Sequence, residues 1–82
     1  MTDSSEPDKD WLVSTASHGG FIIRSVRKWD IVEGQWKVHT YVLPPRKAEI
    51  RATPYPLKFA LEPEAIAGGL ACGRAFIDTL HP

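Results

Sequence analysis

The sequence predicts an α+β fold in which about five short antiparallel strands, organised around hairpins, precede one C-terminal helix packed on the sheet. Apolar and polar residues alternate through the middle of the chain, which is typical of strands, whereas apolar residues recur at helical spacing after Pro63. Glycine and proline residues fall between these segments, where turns are expected. The 82 residues are enough for one domain with a small core.

Residues 1–10 are predicted to be a disordered acidic tail, and residues 11–82 a single domain, because the first ten residues are polar and lack periodicity. They contain four acidic residues and one lysine, whereas residues 24–58 contain eight basic residues and three acidic ones. The acidic start is unlike a secretory signal, and no stretch approaches the roughly 20 apolar residues of a membrane helix. These features predict a cytoplasmic protein that does not contact membranes.

The first two strands are predicted over residues 11–16 and 21–30, joined by a turn that contains two adjacent glycines. The second strand alternates imperfectly, because residues 21–23 are all apolar. Either a β-bulge near Ser25 or burial of the strand's first residues on both faces would account for this pattern. The sequence leaves both explanations open.

A second hairpin is predicted around a two-residue turn at Glu33-Gly34, with the returning strand over residues 36–43. Pairing outward from this turn places Ile31 opposite Trp36 and Trp29 opposite Val38 on one apolar face. Because tryptophan side chains bury large apolar areas, we expect Trp29 and Trp36 to be sealed beneath the C-terminal helix.

The opposite face of the same hairpin is predicted to be charged, with Asp30 opposite Lys37 and Lys28 opposite His39. Basic groups beside an aromatic ring on an open sheet are typical of nucleic-acid binding, although every one-sided sheet also needs a solvated polar face. Five residues are therefore candidate contacts for a nucleic acid or another partner: Arg24, Lys28, Lys37, His39 and Tyr41.

Two further strands are predicted over residues 47–53 and 55–61, where alternation is clean. Pro54 and Pro56 restrict the last strand to an edge or to pairing along its later half, because proline donates no ladder hydrogen bond. Pro63 then suits the first turn of a helix, and the flanking glutamates favour its positive end.

The helix carries one apolar stripe, formed by Ile66, Leu70, Gly73, Phe76, Ile77 and Leu80. Its glycines, Gly68, Gly69 and Gly73, each cost about 1 kcal/mol of helix stability relative to alanine. A close approach to a neighbouring element would offset this cost. The neighbour is either the sheet or another subunit, and the sequence does not decide between them.

No catalytic or metal-binding pattern is evident. Cys72 is the only cysteine, so no intrachain disulfide forms, and its place in mid-helix does not suggest an activated nucleophile. The three histidines, His18, His39 and His81, have no metal-site spacing, and there is no phosphate-binding loop. We therefore expect no catalytic residue, no metal, no cofactor and no enzymatic activity.

The stretch Gly-Gly-Leu-Ala-Cys-Gly-Arg-Ala-Phe-Ile-Asp, residues 68–78, together with the order of strands before one terminal helix, resembles small prophage-encoded proteins of β-proteobacteria such as Chromobacterium. The resemblance is to proteins of uncharacterised function and transfers no active-site residue. It implies a setting among prophage or phage-tail-like genes, where small proteins often act in assembly.

The sequence thus favours a non-enzymatic protein-interaction module, with an accessory or assembly role in a prophage or phage-tail-like structure implied by the resemblance. The alternative is a nucleic-acid-binding protein that uses the basic sheet face. The identity of the partner and the oligomeric state stay open.

Overall fold

A computed structural model describes residues 11–80, which form a five-stranded antiparallel sheet followed by one helix. This confirms the predicted α+β fold, whereas the predicted acidic tail over residues 1–10 lies outside the described residues. The elements are β1 (Leu12–His18), β2 (Phe21–Asp30), β3 (Gln35–Leu43), β4 (Ile50–Arg51), β5 (Leu57–Phe59) and α1 (Glu62–Leu80).

The β1–β2 hairpin turns through two glycines, as predicted. Gly19 and Gly20 have φ angles of 58° and 84°, which glycine adopts without steric cost and which suit a two-residue type I′ turn. Pairing between the strands is continuous from His18 with Phe21 outward, and β2 pairs with β3 without interruption. No β-bulge is therefore present near Ser25, and Ile22 is 50% exposed while Phe21 and Ile23 are buried, so both explanations left open are wrong.

The register of the β2–β3 hairpin differs from the prediction by two residues. Trp29 pairs with Trp36, and Asp30 with Gln35. The connection is a four-residue loop, because the Asp30 side chain accepts hydrogen bonds from two loop amides and its carbonyl accepts one from Gly34. This capping stabilises a longer loop than the predicted two-residue turn. Since side chains alternate with a period of two, the shift leaves each residue on its predicted face.

The outer edge of β3 is covered in two sections. β4 pairs with Tyr41 and Val42, and β5 pairs with the segment from Trp36 to Val38. Both strands are shorter than the predicted spans of residues 47–53 and 55–61, and Pro56, which donates no ladder hydrogen bond, directly precedes β5.

Helix α1 packs closely on β2 and β3 through small residues. A Cβ atom at Gly69 would overlap the Ser25 Oγ, and one at Gly73 would lie 2.5 Å from the Ile23 Cγ2. The Thr40 hydroxyl donates a 2.9 Å hydrogen bond to the Gly69 carbonyl. In the described chain, Gly69 and Gly73 therefore pack on the sheet, which answers for these residues the question that the sequence left open. The fully buried helix positions are Ala65, Gly69, Gly73 and Ile77.

The core lies near the β1–β2 turn and does not include the tryptophans. Phe21, Ile23, Val42 and Ile77 form its buried centre. The expectation that Trp29 and Trp36 are sealed beneath the helix is wrong for Trp29, which is 44% exposed, while Trp36 is half-buried.

The start of α1 explains why the tryptophans are not covered. The Arg27 guanidinium donates a 2.9 Å hydrogen bond to Glu62, the first residue of the helix. Trp29 lies two residues beyond Arg27 on the same face, past the end of the helix. The two indoles instead contact each other edge to face, with ring centroids 5.6 Å apart.

We expect Gly69→Ala to lower the free energy of unfolding by about 1–2 kcal/mol, because overpacking against Ser25 and Val38 outweighs the helix propensity that alanine adds. Urea denaturation monitored by tryptophan fluorescence measures this change. The double variant with Ser25→Ala is the matched control and should recover part of the loss. A more stable Gly69→Ala protein would show that this helix position is open.

Candidate functional site

The five sequence-predicted contacts all lie on the sheet face opposite α1. Arg24 pairs across strands with Tyr41, and Lys28 pairs with Lys37. His39 pairs with Val26 in the row between them. The strand alternation that places Ser25 and Thr40 against the helix therefore directs all five candidate side chains to the other side. We call this side the open face.

Most of the basic groups on the open face are paired with carboxylates. Arg24 forms two hydrogen bonds to Glu49, of 2.8 and 2.9 Å, and its guanidinium lies 4.7 Å from the centre of the Tyr41 ring. The Arg24 hydrogen bond holds the pKa of Glu49 below its usual value. This cation is therefore neutralised locally and less available to a phosphate.

The second pair joins the two strands beside the hairpin loop. The Lys37 Nζ lies 2.7 Å from Asp30, and their hydrogen bond raises the pKa of Lys37 and lowers that of Asp30. Glu33 lies 4.0 Å from Lys37 and 3.1 Å from Lys58. Three cations of this region, Arg24, Lys37 and Lys58, are thus each paired with a carboxylate, which reduces the positive charge that they present to a partner.

His39 sits within a small cluster of rings and polar groups. Its ring centroid lies 6.0 Å from that of Trp11, so that the two rings meet above β2, where Val26 is buried. The His39 Nδ1 is 3.3 Å from the Thr53 hydroxyl and 3.4 Å from the Arg51 guanidinium. Burial first, and then the positive charge of Arg51, lower the pKa of His39. The imidazole is consequently neutral at pH 7.

An open cleft of about 370 Å³ lies between Trp11 and the β2–β3 loop. Its walls combine two indole rings with aliphatic and charged groups, and the Lys28 ammonium lies 5.9 Å from the centre of the Trp11 ring. The cleft is lined by Trp11, Lys28, Trp29, Asp30, Ile31 and Lys37.

The loop beside the cleft exposes two aliphatic side chains. Ile31 is 84% exposed and Val32 is 89% exposed. The loop backbone is held by the Asp30 carboxylate, which accepts hydrogen bonds of 2.9 and 3.2 Å from the amides of Val32 and Glu33. These side chains are therefore presented to solvent on a fixed loop. We call Trp11, Trp29, Ile31 and Val32 the tip surface.

The sequence interpretation missed the tip surface, because Ile31 was expected to pair with Trp36 inside the strand. Two signals pointed to it. Trp11 shares its strand parity with Val13, which pairs with Val26 on the open face. Asp30 precedes the loop, where aspartate commonly caps backbone amides.

The described residues were also compared with the requirements of a metal site and of a reactive thiol. Residues 11–80 contain no group of three or more metal-ligating side chains. The Cys72 thiol is half-buried, and burial raises its pKa, which disfavours the thiolate. The part of the chain described here contains no helix with the length and hydropathy needed to cross a bilayer.

Comparison with protein-family models, with curated proteins and with solved structures finds no match to this chain.

We expect the pKa of His39 to lie below that of the same residue in the urea-unfolded chain. Arg51→Gln should raise the pKa but leave it below the unfolded value, because burial is the larger cause. NMR titration of the His39 ring protons measures both. Since the folded pKa is depressed, the contribution of His39 to stability is complete above about pH 6.5 and falls as the pH drops through the folded pKa.

The pH dependence can be checked independently of the titration. His39→Gln should flatten the slope of unfolding free energy between about pH 5.5 and 6.5, where histidine is the main group to titrate. A folded pKa equal to the unfolded one would contradict the burial of the imidazole.

Proposed function

We propose that the protein is a non-enzymatic protein-interaction module that binds a protein partner through the tip surface. The observation that carries this proposal is the pair of adjacent, almost fully exposed aliphatic residues, Ile31 and Val32, on a loop held by Asp30. Burying an aliphatic side chain of this size contributes about 1.5–3 kcal/mol. A partner that buries both Ile31 and Val32 therefore gains much of the binding free energy needed for a specific contact.

The cleft supports a protein partner over a purely polar ligand. Trp11 and Trp29 offer aromatic area next to the aliphatic pair, and tryptophans are enriched among the residues that dominate interface energies. Lys28 and the Lys37–Asp30 pair add a charged rim. An apolar centre with a polar rim is the usual arrangement of protein interfaces.

The resemblance of residues 68–78 to prophage-encoded proteins supplies the proposed setting. In that setting the module serves as an accessory or assembly component of a phage-tail-like structure, and its partner is another component of that structure. This part of the proposal depends on the resemblance, whereas the tip surface depends on the geometry.

Nucleic-acid binding is the second candidate. It is favoured by the Trp11 and Tyr41 rings on the open face and by Lys28, which lies over the Trp11 ring. Base stacking on such rings, together with nearby cations, is the usual basis of single-strand binding. The pairing of Arg24 and Lys37 with carboxylates argues against it, because a phosphate would have to compete with them.

We expect the double variant Ile31→Ser with Val32→Ser to bind a phage-tail-like partner at least about tenfold more weakly, since each lost apolar contact costs more than 1 kcal/mol. The experiment co-expresses the chain with neighbouring tail components and measures the affinity of the purified pair by calorimetry. Because neither side chain lies in the core, the unfolding free energy should change by less than about 0.5 kcal/mol.

Tyr55→Ser is the matched control, because Tyr55 is also an exposed large side chain but lies outside the tip surface. It should bind like the wild type. If no tail component associates with the wild-type chain, the proposed setting is wrong. If a component binds and the tip variant binds equally well, the tip surface is not the contact.

For the nucleic-acid candidate, fluorescence anisotropy with a single-stranded oligonucleotide at about 50 and 200 mM salt is the direct test. The protein-module proposal expects no binding at either salt concentration. Salt-dependent binding that Lys28→Ala and Lys37→Ala weaken, and that Lys47→Ala in an exposed loop leaves intact, would favour the nucleic-acid function instead.

A further inference from the structure

Among residues 11–80, one edge of the sheet has no strand paired along it. β1 is the terminal strand of the sheet order, and no strand among residues 11–80 pairs with its outer side. At the opposite edge, β4 and β5 pair with the outer side of β3. Among the described residues, one edge of the sheet is therefore covered by strands, whereas the other is not.

The turn geometry determines which backbone groups of β1 point outward. In a two-residue hairpin the residues that flank the turn, here His18 and Phe21, exchange both hydrogen bonds. Inward and outward groups then alternate along the strand. The N–H and C=O groups of Val13, Thr15 and Ser17 consequently point away from β2.

β1 carries none of the features that usually protect an edge strand. Natural edges are blunted by lysine, proline, bulges or very short strands. β1 is seven residues long, contains no proline, lysine, arginine or carboxylate, and pairs with β2 without a bulge. Two copies of this strand approach each other without repulsion between like charges.

We propose that the outer edge of β1 binds the same edge of a second copy of this chain, so that two sheets join into one. Antiparallel pairing about a two-fold axis at Thr15 places Val13 opposite Ser17 of the second copy and Thr15 opposite its own equivalent. In this register every outward-facing group of both strands is paired. A threonine pair at the centre also contributes favourable side-chain contact.

The same register covers two exposed leucines in each copy. Leu12 lies on the helix side of β1, since it shares its parity with His18, and is 49% exposed. The 2.8 Å contact between His18 and Asp78 places the last turn of α1 over the other end of β1, and Leu80 in that turn is 44% exposed. Antiparallel pairing brings Leu12 of one copy to the His18 end of the other, toward Leu80. Because each copy covers the leucines of the other in the same way, a second copy is favoured over an unrelated extended peptide as the partner of β1.

The test measures molecular mass by sedimentation equilibrium across about 10 µM to 1 mM protein, with Thr15→Pro and Thr15→Val as matched variants. Proline at residue 15 removes an outward N–H and leaves the β1–β2 bonds intact, as edge positions allow. We expect the wild type and Thr15→Val to dimerise. Thr15→Pro should raise the dimer Kd at least about tenfold, since the hydrogen bond is lost twice by symmetry.

Amide hydrogen exchange keeps the proposal testable if Thr15→Pro unfolds. The amides of Val13, Thr15 and Ser17 should gain protection as the concentration rises, whereas those of Ser14 and Ala16 should be protected throughout. A monomer at the highest concentration overturns the proposal. Protection that is independent of concentration and disappears when residues 2–10 are deleted also overturns it, because the chain's own N-terminal segment would then be the occupant.

Discussion

The close contact between α1 and the centre of the sheet fixes the position of the helix and, with it, which sheet residues are buried. Gly69 lies directly over Ser25, and Gly73 over Ile23, with no space for a Cβ atom at either position. The Thr40 hydroxyl bonds to the Gly69 carbonyl within this contact. The cost of glycine inside a helix is thus offset by dispersion contacts and a buried hydrogen bond that a larger residue would prevent.

This contact also determines what the helix leaves uncovered. The first turn of α1 is bound to Arg27 through Glu62, so the helix begins short of the β2–β3 loop. The Trp29 indole is therefore left about half exposed to solvent. Trp29 is therefore exposed at the surface, although a protein this small has few large apolar side chains with which to form its core. The exposed aliphatic residues Ile31 and Val32 on the loop beside it are the side chains on which the proposed protein contact depends.

The tip surface and the outer edge of β1 expose different chemical groups, and this difference distinguishes the two proposed interactions. The tip surface offers side chains on a fixed loop, which suits recognition of a different protein. The outer edge of β1 offers backbone groups, which have little sequence selectivity and suit a symmetric contact. Between them, the open face carries three cations, Arg24, Lys37 and Lys58, whose charges are offset by Glu49, Asp30 and Glu33.

The fold class, the turn at Gly19-Gly20 and the face to which each residue of β2 and β3 points could be predicted from the sequence, because they follow from local propensities and from a period of two. The sequence therefore brought Arg24, Lys28, Lys37, His39 and Tyr41 onto one face despite a register that was wrong by two residues. The loop length, the exposure of Trp29 and the carboxylate partners of Arg24 and Lys37 could not be predicted in this way. They depend on where Asp30 caps the loop and where α1 begins over Arg27. Both are contacts between particular side chains, which alternation and helical spacing do not predict.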